Sequence, residues 1–80
     1  MVHKIEMPKE LQVGLIAGDA VESAKWRLTH GKNANPEVAV IEAVEDFVKS
    51  GYCPSELKLD VINRAKKYMR EMIDKYGYPK

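Results

Sequence analysis

A chain of 80 residues carrying thirteen basic and twelve acidic side chains, a formal charge of +1 and a single cysteine excludes several classes at once. There is room for one domain, no intrachain disulfide or cysteine zinc cluster is possible, and the net charge makes neither a polyanion binder nor an acidic decoy. A chain this short hides only about 60 to 65% of the surface its unfolded form exposes, so a partner chain is a common support and a homodimer is expected.

Pro8, the stretch Gly31–Pro36 and the stretch Gly51–Pro54 divide the chain into four pieces. In the first, His3, Ile5 and Met7 alternate with Val2, Lys4 and Glu6, which permits a short strand over 2–7. The second supports a helix over about 9–29, with Leu11, Leu15, Val21, Ala24 and Leu28 as its buried stripe. Gly14 and Gly18 cost such a helix about 1 kcal/mol each relative to alanine and in return let a neighbouring helix approach closely. Asp19 and Glu22 also have capping-box spacing, so a start at Asp19 is the alternative to the preferred start near Lys9.

The third piece is a helix over 36–50. Asn35 suits the N-cap, Pro36 the first helical position, and Gly51 the stop. Val40, Ile41, Val44, Phe47 and Val48 recur at three- and four-residue spacing as one apolar face. The fourth is a helix over 55–76 capped by Ser55. Its stripe includes Leu57, Val61, Ile62, Ala65, Met69, Met72, Ile73 and Tyr76, and Arg70 is spaced to pair with Asp74. Residues 36–50 carry Glu37, Glu42, Glu45 and Asp46 against Lys49, while 54–76 carry six cations against four anions. Opposite signs on adjacent helices suit mutual pairing in an antiparallel hairpin.

Chemistry is sparse. His3 and His30 have no tie to Ser23, Ser50, Ser55 or Cys53, and His30 reads as a cation at a helix C-terminus. No Glu-x-x-His pair occurs, and Glu42, Glu45 and Asp46 form an ordinary solvated face. Gly14 and Gly18 lack the Lys-Ser/Thr of a phosphate loop. Cys53 reads as a buried apolar residue. Basic residues interleave with aromatics at Lys25-Trp26-Arg27 and Lys75–Lys80, a pattern that can stack on single-stranded nucleic acid. A lone tryptophan beside a single phenylalanine is nevertheless expected in the core. No catalytic residue, metal site or cofactor is expected, so the chain reads as a non-enzyme. The run Leu11–Gly18 is too short to cross a bilayer, which takes about 20 residues. With no secretory pattern at the N-terminus, a cytoplasmic protein without a membrane partner is expected.

The turn Gly31-Lys32-Asn33-Ala34-Asn35 and the following Pro36–Val48 resemble the turn and second helix of ribbon-helix-helix proteins, the Arc/MetJ-type transcriptional regulators. Ala39, Val40, Glu42, Ala43, Val44, Phe47 and Val48 fall on matching residue types, and Lys4–Leu11 is similar to the family's strand and helix-opening proline. The resemblance implies a homodimer whose paired N-terminal strands enter the major groove of duplex DNA. It places Val2, Lys4 and Glu6 on the outward, base-reading face, Ile5 and Met7 toward the core, and a phosphate near Asn33 and Asn35 at a helix N-terminus.

The expectation is therefore a mainly α, single-domain chain of three helices. Its first functional reading is a ribbon-helix-helix DNA-binding regulator with an added C-terminal helix. The alternative is a helical protein that binds another protein and not nucleic acid.

Overall fold

A computed structural model describes residues 8–32 and 35–78. They form α1 (Lys9–Thr29), α2 (Pro36–Ser50), a single 3-10 turn at Ser55–Leu57, and α3 (Lys58–Tyr76). All described elements are helical, and the strand expected at 2–7 lies outside the described residues.

The first helix is continuous from Lys9. Good helix formers surround its two glycines, and the Pro8 carbonyl accepts the Gln12 N–H at 3.0 Å to open it. Asp19 is an interior residue and accepts a hydrogen bond from the Tyr52 hydroxyl instead of capping a new helix. At the C-terminus Lys32 N–H reaches the Arg27 carbonyl at 2.8 Å and Gly31 N–H the Leu28 carbonyl at 3.3 Å. This is a Schellman closure, with Gly31 at φ +70 as its left-handed residue.

The second helix starts and stops as its sequence indicates. The Asn35 side-chain oxygen accepts from the backbone N–H of Glu37 (2.8 Å) and Val38 (3.4 Å), and Gly51 at φ +84 ends it. The fourth piece departs from expectation. Ser55 makes no side-chain cap, and the chain first makes a 3-10 turn in which Leu57 N–H bonds the Pro54 carbonyl at 3.0 Å. That tighter turn seats Leu57 and Cys53 in the core at the corner between α2 and α3.

Glu45 with Lys58 and Glu37 with Arg70, each 3.6 Å apart, join α2 and α3 in antiparallel order. The sign difference between the two segments is thus satisfied within the chain. Arg70 reaches across to Glu37 and not along its own helix to Asp74. The first helix lies against both. Lys9 pairs with Asp60 at 3.0 Å and Glu10 with Arg64 at 2.9 Å, while Arg27 pairs with Asp46 on α2.

The core is aliphatic and rich in alanine, with no buried polar side chain among the described residues. Ala17, Ala20 and Ala24 of α1, Ala39 and Ala43 of α2, and Ala65 of α3 are fully buried where the three helices meet. Alanine at such points lets helix axes come close, and Val40, Val44, Val61 and Met69 fill the space around them.

The inward stripe of α1 is Val13, Ile16, Ala17, Ala20, Val21 and Ala24. Two of the leucines expected inside, Leu11 and Leu15, are 54% and 52% exposed. Trp26, expected in the core, is 52% exposed, and Tyr76 of α3 is also outside. The reason is geometric. At 100° per residue, Leu11, Leu15 and Trp26 fall on the side of α1 opposite the alanine stripe, and wedging between two helices selects small residues over large ones.

Candidate interaction surface

The outward face of α1 is built by helical spacing alone. Leu11, Leu15, Gly18, Glu22 and Trp26 follow at intervals of four, three, four and four residues, and so lie one above another. Two half-exposed leucines a turn apart, directly opposite a helix's own core face, occupy positions that a solvated helix normally gives to charge. Gly18 sits in the middle of this row, and a Cβ there would meet nothing within 4 Å among the described residues. Gly14 is different. A Cβ there would come within 3.3 Å of the Tyr68 hydroxyl, so this glycine makes room for the Tyr68 side chain of α3. The close helix approach therefore uses the alanines, Gly14 makes room for a side chain of α3, and Gly18 is used by neither among the described residues.

The edges of the row are polar and anchored. Lys25 pairs with Glu22 at 3.5 Å on the helix surface. Asp19 is turned aside to the Tyr52 hydroxyl, whose ring packs edge-on against Phe47 with centroids 5.1 Å apart. The hydrogen bond to Asp19, with some desolvation and the carboxylate's charge, holds the Tyr52 phenol above its ordinary pKa. At the other end, the hydrogen bond from Lys9 to Asp60, with the attraction of that carboxylate, raises the Lys9 ammonium.

Trp26 closes the row. Its ring stacks on His30 with centroids 4.2 Å apart and planes 19° from parallel, and the Lys32 ammonium lies 6.0 Å from the ring centroid. The Trp26 carbonyl receives the His30 backbone N–H at 3.0 Å and the Thr29 hydroxyl at 3.0 Å, with His30 Nδ1 also 2.9 Å away. The histidine thus sits at the C-terminal cap of α1, as its sequence position suggested, with its ring held against the indole.

The positions implied by the DNA-binding resemblance are not assembled among the described residues. Val2, Lys4, Glu6 and Asn33 lie outside them, as do Ile5 and Met7. Asn35 is described, and its side-chain oxygen already takes two first-turn amides of α2 as a cap.

Other chemistry is limited. Cys53 is 1% exposed, and burial followed by the charge of Glu56 pushes its thiol above the ordinary cysteine range. No group of three or more His, Cys, Asp or Glu side chains is placed to hold a metal among the described residues. A cleft of about 270 Å³ between α1 and α3 is lined by Glu10, Val13, Asp60, Asn63, Arg64 and Lys67. It is smaller than a typical small-molecule pocket, and two of its charges are already paired to each other. Among the described residues, no helix is long and apolar enough to cross a membrane.

Sequence reasoning missed the outward face because it assigned Leu11 and Leu15 to the core. The signal that finds it is a second stripe of the same period, Val13-Ala17-Ala20-Ala24, weaker in hydrophobicity and stronger in small residues. No family model, no curated protein and no solved structure matches the chain.

Proposed function

We propose that this chain is a non-enzymatic helical interaction protein that docks another polypeptide on the outward face of α1. The observation that carries the reading is the exposure of Leu11 and Leu15 opposite the core, in a row that Trp26 extends by three turns. Removing such side chains from water is what drives polypeptide association, and large aromatics are the usual anchors. Elsewhere salt bridges tie helix to helix, and the more exposed Leu59 and Tyr76 lie near opposite ends of α3, whereas Leu11, Leu15 and Trp26 share one face of one helix.

A photo-crosslinking amino acid placed at Leu15, with the same probe at exposed Glu56 as control, tests this in cells. A discrete adduct from position 15 and none from position 56 is the expected result. Equal smears, or no adduct at either position, would remove the reading.

A ribbon-helix-helix DNA-binding dimer is the second reading. It is favoured by Pro8 opening α1 and by the Asn35-Pro36 start of α2 after a glycine-closed turn, the boundaries the resemblance requires. It predicts salt-sensitive retardation of duplex DNA that Lys4→Ala weakens. A low-salt titration without retardation of any duplex excludes it.

A further inference from the structure

Resting on α1's outer face as a docking surface, we infer that its occupant is a second copy of the chain, with the two α1 helices packed antiparallel about Gly18. The row is symmetric about a point between Gly18 and Asp19. Leu11 and Trp26 lie equally far from that point on either side, and so do Leu15 and Glu22. A two-fold axis there sets Leu11 on Trp26 of the other copy and Leu15 on the aliphatic stem of its Glu22. Each large exposed apolar side chain of the row is then covered by a residue of the same row.

Two further observations favour this occupant. Gly18 stands at the crossing point, where a missing Cβ allows the closest approach of two backbones. Glycine inside a helix is costly, and nothing among the described residues comes near enough to make use of it. Charge selects the direction. Parallel helices would stack Glu22 on Glu22 at the seam, whereas the antiparallel pair separates the two carboxylates and leaves each with its own Lys25 at 3.5 Å. The paired length from Leu11 to Trp26 is about 22 Å at 1.5 Å per residue. So short a seam belongs to the class below about 1,200 Å², which makes weak, concentration-dependent dimers.

Mixed disulfide trapping tests the geometry, with the native chain as control because its Cys53 thiol is buried. Leu15→Cys and Glu22→Cys chains, oxidised together, should give a disulfide joining one to the other. Neither variant should link to itself, since the antiparallel offset puts identical positions about 10 Å apart along the axis, beyond disulfide reach. Self-linked Leu15→Cys would mean a parallel pair and overturn the inference, as would the absence of any link at millimolar chain. Sedimentation of Gly18→Leu, which has open space for its side chain, should show native helix content and a monomer–dimer midpoint raised about tenfold or more. An unchanged midpoint overturns the inference. The Leu15 photo-adduct separates this failure from that of the docking surface: twice the chain mass supports the second copy. An adduct with a different polypeptide overturns it while leaving the docking reading intact.

Discussion

Asp19 and Tyr52 lie 33 positions apart in the chain, and their hydrogen bond holds the loop after α2 against the outer edge of α1. The phenol must lose this bond when it ionises, so its raised pKa is the titration signature of the contact. Absorbance titration should show one of the four tyrosines ionising later than the rest, and Asp19→Asn should move it back toward them. The sign follows from linkage. A group raised in the folded state adds stability below its unfolded pKa, near 10, and loses it as pH rises through the folded value. Cys53 makes a second residue-scale case. With its thiol buried and its pKa raised, modification by an aromatic disulfide reagent at pH 8 should be slow in the native chain and fast after unfolding. Rapid stoichiometric labelling of the native chain would contradict the corner packing of α2 and α3.

At the scale of elements, the two ends of α2 were legible because capping is local. Asn35, Pro36 and Gly51 act on backbone groups within a turn of themselves, so no tertiary information is needed to place them. Asn35→Ala should cost about 1 kcal/mol in thermal or urea unfolding, since it orphans the amides of Glu37 and Val38. The glycines of α1 separate two cases that look alike in sequence. Gly18→Ala should stabilise the dilute chain by up to about 1 kcal/mol. Gly14→Ala should gain less or lose, because the new methyl meets the Tyr68 hydroxyl at 3.3 Å and that side chain must give way. Ser55 shows the limit of local reading. Its residue type and place fit a cap, but the buried positions of Cys53 and Leu57 demand a 3-10 turn there instead.

Over the whole molecule, stability rests on a small alanine-lined core, and one of its larger fillers is Met69 at 2% exposure. Met69→Ala should cost about 2 to 5 kcal/mol, a large share of the total for a domain of this size, and should be read as a lowered urea midpoint. Trp26→Ala, by contrast, should change stability little, because the indole is half in water and its main partner is His30 on the same helix. If Trp26→Ala proved as damaging as Met69→Ala, the placement of the tryptophan outside the core would be wrong.

The sequence by itself determined the three helices and both ends of α2, and it pointed to the pairing of α2 with α3, since capping, periodicity and complementary charge operate over a few residues or between neighbours. It did not determine which side of α1 faces inward. Leu11, Leu15 and Trp26 and the stripe of Val13, Ala17, Ala20 and Ala24 share one period, and hydrophobicity alone favours the larger side chains. Only the tertiary structure decided between them. A helix lying against two others at once needs alanine at the closest points, and that requirement turned the leucines and the tryptophan outward into the face proposed to bind a partner.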